Sequence, residues 1–241
     1  MKKFVEIFTL TLVLLSGFYF GTKFNSQEES VPENERKFEL FADVNLFQFT
    51  GENLTPAQIQ LNKALLDIRE KVVSDFYDEI KIFFEPDFEE VLNYISGVAL
   101  NCKVVQNTDK IFSCEIETEQ YHHGANGCHS GVIGVNYAIE NGKIRKIKFA
   151  ELFKSKSDKI AFLKKALSDI KKQTTGLLIE IDTLSEKDFE EIENQLQFVF
   201  TDNKIKIMFP PYTIACGACG VLKSEQNWVK FTAKLNIHIT R

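Results

Sequence analysis

Two periodicities alternate along the chain. From Pro56 onward apolar residues recur at Leu61, Leu65, Ile68, Val72, Phe76 and Ile80, spaced three to four positions apart along one helical face that turns inward. Thr55 and Gln58 flank Pro56 as a capping box, with proline at the first helical position, so the start is marked twice. Pro86 ends or interrupts this helix, and Phe88, Val91, Leu92 and Ile95 predict a short second segment. Near residue 98 the period shortens. Residues 98–105 and 111–118 read as extended runs around the turn-prone Gln106-Asn107-Thr108-Asp109-Lys110. Residues 132–139 and 143–149 flank Glu140-Asn141-Gly142, where Asn-Gly is the strongest two-residue hairpin signal. Helical spacing returns at Ile160, Leu163, Leu167 and Ile170, and Ser185 with Asp188 opens a third helix carrying Phe189 and Ile192. Strands are expected over 197–201, 204–209 and 228–239, the first two joined by Asp202-Asn203. Helices and hairpins are grouped rather than alternating, which predicts an α+β fold with an antiparallel, hairpin-rich sheet packed against helices.

The amino terminus follows another pattern. Met1, Lys2 and Lys3 precede an apolar run over residues 7–20, the charged start and short greasy middle of an export signal. As a helix that run rises about 21 Å, short of a hydrocarbon core of about 30 Å. A cleaved signal over residues 1–21 is therefore favoured over an anchor, and the only membrane contact expected is through this segment if it is retained. Residues 22–37 are polar and read as a flexible tether, leaving 38–241 as the folded module, in halves of about 38–153 and 154–241. The expected localisation is extracytoplasmic: periplasmic, secreted or membrane-anchored.

Composition narrows the function. The 241 residues carry a net charge of −5, which argues against nucleic acid, and removing residues 1–21 leaves the chain more acidic still. Twenty-two Phe against one Trp and two Met supply enough aromatic bulk for a core without any cofactor. No Gly-x-Ser-x-Gly elbow, His-Glu-x-x-His, phosphate loop or dinucleotide fingerprint is present. No catalytic residue is nominated.

Sulfur and imidazole are the informative chemistry. With a hairpin tip at Asn107 to Asp109, Cys102 stands opposite Cys114. A cross-strand disulfide there closes a loop of about 12 residues and contributes about 3 kcal/mol; two packed, unbridged thiols are the alternative. Three of the four histidines, His122, His123 and His129, crowd around Cys128. Cys128 and the Cys216-Gly217-Ala218-Cys219 segment admit three readings. One is a disulfide from Cys128 to either downstream thiol, leaving one odd. The second is zinc held by His122, Cys128, Cys216 and Cys219. The third is redox exchange through Cys-x-x-Cys, which needs a helix start where no helical pattern is evident.

Several short motifs resemble one known family. Ser113, then Tyr121-His122-His123-Gly124-Ala125-Asn126-Gly127, Val135-Asn136-Tyr137, Asn141-Gly142-Lys143 and Ala150-Glu151-Leu152-Phe153 resemble the first half of the RsiV-like extracytoplasmic module. Phe198-Val199-Phe200-Thr201-Asp202-Asn203, Ile207-Met208-Phe209 and Pro211-Tyr212-Thr213-Ile214-Ala215, ending at Gly220, resemble its second half. That module is shared by lysozyme-sensing anti-sigma factors, some peptidoglycan deacetylases and exported proteins of unknown role. The resemblance covers about residues 38–238. It departs at Asn126 where the family has His, at Ala138 where it has Asp, and at Cys216 and Cys219, which interrupt a stretch without thiols. With Met1 to Glu6 before the apolar run, no sigma-binding segment is expected ahead of it and no deacetylase domain after Arg241, so neither anti-sigma signalling nor deacetylation is expected.

The resemblance implies an α+β binding module. The expected function is non-catalytic binding of a protein or cell-wall ligand, lysozyme among the candidates, through Tyr121, His122, His123, His129 and Tyr212. No cofactor is expected. The alternative from another class is a zinc-dependent hydrolase using the His122, Cys128, Cys216 and Cys219 cluster.

Overall fold

A computed structural model describes residues 39–84, 95–122, 128–202 and 204–227. The export signal, the tether, residues 85–94 of the segment expected after Pro86, the Gly-rich residues 123–127 with His123, and the strand expected over 228–239 lie outside the described residues; Ile95, expected at the end of that segment, instead opens a strand, Ile95–Asn107.

The first long helix is α1, Pro56–Phe84. Its capping box forms as the sequence predicts: Thr55 N donates to Gln58 Oε1 at 2.8 Å and Gln58 N donates to Thr55 Oγ1 at 3.3 Å. Leu61, Leu65, Phe76 and Ile80 are buried, with Ile68 and Val72 partly buried beside them. They press on one face of a five-stranded sheet in the order β1-β2-β3-β4-β5, made of Glu39–Asn45, Ile95–Asn107, Ile111–Tyr121, His129–Glu140 and Lys143–Lys146. All neighbouring strands are antiparallel except β1, which adds parallel to β2. The β4–β5 turn holds Asn141 at φ 51° and Gly142 at φ 75°, the left-handed pair that an Asn-Gly hairpin turn requires. Strand β5 ends at Lys146, earlier than the expected 149, because Phe149–Leu152 winds into a 3-10 turn that buries Phe149 and Leu152.

The opposite face of this sheet meets a second sheet. Strands β6, Gln197–Phe200, β7, Lys204–Phe209, and β8, Leu222–Asn227, form an antiparallel sheet in that order. Helices α2, Lys156–Lys171, and α3, Glu186–Gln195, cover its far side. Their starts are capped by Ser155 and Ser185, the latter in a complete capping box with Asp188. Alternation on β6 and β7 follows from this sandwiching: Phe198, Phe200, Ile205, Ile207 and Phe209 join α2 and α3, while Val199 and Met208 turn back toward Val132 of β4. The arrangement is α+β, as the grouping of elements predicts.

Strand β3 is the centre of the stack. Residues 111–116 are all buried, because alternate positions face α1 and the second sheet. Between the sheets lie polar clasps. Ser113 Oγ donates to Asn136 Oδ1 at 2.7 Å, Asn136 Nδ2 donates to the Phe198 carbonyl at 2.7 Å, and Phe200 N donates to Ser113 Oγ at 2.9 Å. Glu115, 2% exposed, accepts from Lys206 of β7 and Lys223 of β8 at 2.8 Å each.

The first hairpin corrects one expectation. Thr108 N donates to the Ile111 carbonyl at 2.8 Å, and Thr108 Oγ1 accepts from Ile111 N at 2.9 Å, so the turn closes on Thr108 and Ile111 rather than on Asn107 to Asp109. With a bulge between Val104 and Gln106, Cys102 stands opposite Ile116 and Cys114 opposite Val104. A displacement of two residues keeps both sulfurs on the same face, and the two side chains hydrogen-bond as diagonal neighbours without a disulfide. That bond from the Cys114 thiol lowers the Cys102 pKa to about 7 and raises that of Cys114.

Candidate functional site

The end of the sheet at which β3 stops and β4 starts faces the loop after β7. Between them lies a cleft of about 550 Å³. Gln120, His122, Cys128 and His129 form one wall, Pro210, Pro211, Tyr212, Gly217 and Ala218 the other, and Glu79 of α1 closes one side. His122, Cys128 and His129, which flank the first Gly-rich stretch, therefore share a cleft with Gly217 and Ala218 of the second.

His122 follows the last residue of β3 and is held from several directions. Its ring lies 5.3 Å from that of Phe76 and 5.7 Å from that of His129, the latter edge-on at 74°. Its Nε2 stands 3.9 Å from Glu79 Oε1, and its side chain is 19% exposed. His129 opens β4 and is exposed. Helix α1 supplies the carboxylate because Glu79 directly precedes Ile80, whose side chain is in the core.

The opposite wall is shaped by backbone geometry. Tyr212 is 73% exposed and has φ 68°, a left-handed conformation that costs a bulky residue roughly 1–3 kcal/mol. Its ring lies on Gly217, where any Cβ would collide with it. Glycine is required there by close approach. Gly220 ends the Gly217–Cys219 3-10 turn at φ 62°, ψ −156°, a region essentially restricted to glycine. The loop is anchored from behind: Leu178 N donates to the Ile214 carbonyl at 3.0 Å, Leu177 bridges Ala215, and Ile214 and Ala215 are buried.

Of the residues expected to bind ligand, His122, His129 and Tyr212 line this cleft. Tyr121 does not; it pairs with Gly97 of β2. His123 lies outside the described residues. Sequence reasoning missed Glu79 and Gln120, since one charged position on an amphipathic helix and one polar position on a strand look like any solvated site. The five cysteines are unbridged. Cys216 and Cys219 face each other, Sγ to Sγ 2.8 Å, within their own turn, which leaves Cys128 exposed on the other wall instead of joined to either. Among the described residues no group of three or more His, Cys, Asp and Glu side chains is placed to hold a metal ion, so His122, Cys128, Cys216 and Cys219 do not assemble as a tetrahedral shell.

A second groove, of about 630 Å³, runs between α2 and α3. Its charged residues already serve the fold: Lys156 pairs with Glu186 and Glu190 at 2.9 and 2.7 Å, and Lys164 sits over the Phe189 ring at 5.7 Å. The cleft at Tyr212 combines imidazole, thiol, carboxylate and an exposed aromatic ring, and is the better candidate.

Residues 150–224 match the protein-family model described as Protein of unknown function (DUF3298). The matched stretch contains Tyr212 and both loop cysteines, whereas His122, Cys128 and His129 precede it. Two solved structures of proteins from that family are similar to this chain. The protein from Bacteroides fragilis is 17% identical, with 71% of this chain and 70% of that chain covered at a TM-score of 0.48. The protein from Pseudomonas aeruginosa PAO1 is 11% identical, with 64% and 68% covered at a TM-score of 0.40. No curated protein matches the chain. Among the described residues no helix is long and apolar enough to cross a membrane.

Proposed function

We propose that this chain is an extracytoplasmic, non-catalytic module of the RsiV-like kind that binds a protein or cell-wall ligand in the Tyr212 cleft. The observation that carries the reading is Tyr212 itself. A large aromatic side chain is held in the open, in a costly backbone conformation, against a glycine with no side chain, beside a cleft completed by two imidazoles. Strain of this kind persists where the surrounding structure enforces it, and it concentrates at ligand clamps. An exposed tyrosine supplies apolar area and a hydroxyl with few rotors to freeze, which suits a contact surface. The amino-terminal pattern supports export, and the short motifs in both halves support the family kinship.

The test is retention of purified protein on immobilised c-type lysozyme and on peptidoglycan, followed by titration of whichever retains it. Tyr212→Ala is expected to weaken binding roughly tenfold or more while leaving the melting temperature unchanged, since the side chain is exposed and alanine carries the same Cβ at that φ. Retention on neither material, or equal binding by the variant, overturns the reading. Export is checked separately by fractionating cells that express the full chain and looking for loss of residues 1–21 by mass.

A further inference from the structure

We propose that Cys216 and Cys219 form a thiol–disulfide exchange pair, with Cys216 as the attacking sulfur and Cys219 as the resolving one. The proposal stands on placement. The two sulfurs lie 2.8 Å apart across a single 3-10 turn, so a bond of about 2.05 Å needs a shift of less than about an ångström. Cys219 N donates to the Cys216 carbonyl at 3.0 Å and Gly220 N to the Gly217 carbonyl at 3.0 Å, closing the turn that holds them together. Both cysteines are only partly buried, at the back of a cleft wall formed by the two residues between them. This differs from the Cys102 and Cys114 pair, where Cys114 is fully buried on β3.

Packing distinguishes the roles of the two thiols. Gly176 passes so close to Cys219 that a Cβ there would stand 2.7 Å from its Sγ, so one side of that sulfur is covered by the segment leading into the Leu177–Ala215 bridge. Cys216 follows buried Ala215 and stands at the mouth of the turn. The hydrogen bond between the thiols lowers the pKa of Cys216 and raises that of Cys219, with the Ala218 and Cys219 amides adding to the stabilisation of the Cys216 thiolate. No long helix is needed, which is the condition the sequence lacked.

The exchange partner is a small-molecule or protein disulfide. The Cys216 thiolate, its proton released to solvent, attacks one sulfur of that disulfide. The partner's S–S bond breaks and one thiolate leaves, taking up a proton. The Cys219 thiol then loses its proton and its sulfur attacks Cys216 Sγ, expelling the second thiol. The chain loses two protons and two electrons and the partner gains them; a dithiol reductant reverses the sequence. Because only Gly217 and Ala218 separate the two sulfurs and both line the cleft, the oxidation state is conveyed to the wall beneath the Tyr212 ring. The exchange chemistry itself does not depend on what the cleft binds.

The experiment equilibrates the full chain with oxidised and reduced glutathione at graded ratios, quenches with an alkylating agent, and maps cysteine peptides by mass. In wild-type protein the peptide spanning Cys216 and Cys219 is expected to pass reversibly from two alkylated thiols to an internal disulfide lacking two hydrogens, while Cys114 stays unbridged. Cys219→Ser is expected to accumulate a glutathione adduct on Cys216, and Cys216→Ser to form several-fold less adduct on Cys219. Two alkylated thiols at every ratio in wild-type protein overturn the proposal. So does preferential bonding of Cys128 to either residue. Equal adducts on the two single variants overturn the assignment of roles. The wild-type measurement stands even if either variant folds poorly.

Discussion

Glu115 carries its carboxylate into the space between two sheets and meets two ammonium groups there. Burial alone pushes its pKa up, but the hydrogen bonds from Lys206 and Lys223 outweigh that, and the net shift is downward from the ordinary 4.5. A carboxyl held low in the folded state stabilises it fully above the unfolded pKa. That contribution fades as the pH falls through the folded value. Urea unfolding of the wild type is therefore expected to lose stability below about pH 4.3, with a shallower loss over the same range in Glu115→Gln. At neutral pH, Glu115→Ala strands Lys206, whose side chain is only 16% exposed, and is expected to cost about 3 kcal/mol. Asn136 is a different case at the same scale, because it is neutral and both its amide atoms are engaged. Asn136→Ala leaves the Phe198 carbonyl without its donor and Ser113 without its acceptor. A loss of about 2–3 kcal/mol in urea midpoint measurements is expected.

At the scale of elements, the strongest signals in the sequence were local ones. Thr55 with Gln58 and Ser185 with Asp188 form as capping boxes because each is completed within four residues. Asn141-Gly142 makes its hairpin for the same reason, and Gly142→Ala is expected to cost about 1 kcal/mol by thermal melting, since φ 75° is penalised once a Cβ is present. Two strands were not legible. Strand β8 reads Leu-Lys-Ser-Glu-Gln-Asn, with no apolar alternation, because its inward positions are Ser224 and Gln226, which are satisfied by polar partners: Gln226 Nε2 donates to Asp169 Oδ2 at 2.8 Å and to Ser224 Oγ at 2.9 Å. Strand β1 pairs parallel with a strand 50 residues away, so no turn signal announces it. The crossing of β6 over β4 was equally hidden, although its cause is one residue. Gly134 N donates to Gln197 Oε1 at 3.1 Å, and a Cβ on Gly134 would collide with the Phe198 backbone. Gly134→Ala is expected to cost about 3 kcal/mol by forcing the sheets apart, a loss that chemical denaturation will register.

For the whole molecule, the candidate site was legible as the convergence of two distant segments but not as a bonding pattern. Cys128 and the Cys-x-x-Cys stretch are 88 residues apart in sequence and reach one cleft because β3 and β4 end where the β7 loop begins. Which sulfur faces which depends on a three-residue turn, and no pattern in the residues encodes its handedness or tightness. The hairpin tip behaved likewise: Thr108 bonding to Ile111 moved the register by two and turned an expected bridge into a diagonal contact. Aromatic bulk was easier to anticipate. Phe149, Phe153, Phe162, Phe198 and Phe200 stack in a chain of ring contacts with centroids 5.1–6.1 Å apart, filling the core on the α2 side as the Phe-rich composition implied.

The double burial of β3 has a dynamic consequence. A strand roofed by α1 on one side and by a second sheet on the other has no private way to open, since freeing its amides requires both layers to leave. Deuterium should therefore enter residues 111–116 last and at a rate set by the free energy of global unfolding, so that this one strand serves as an internal gauge of the stability of the whole protein.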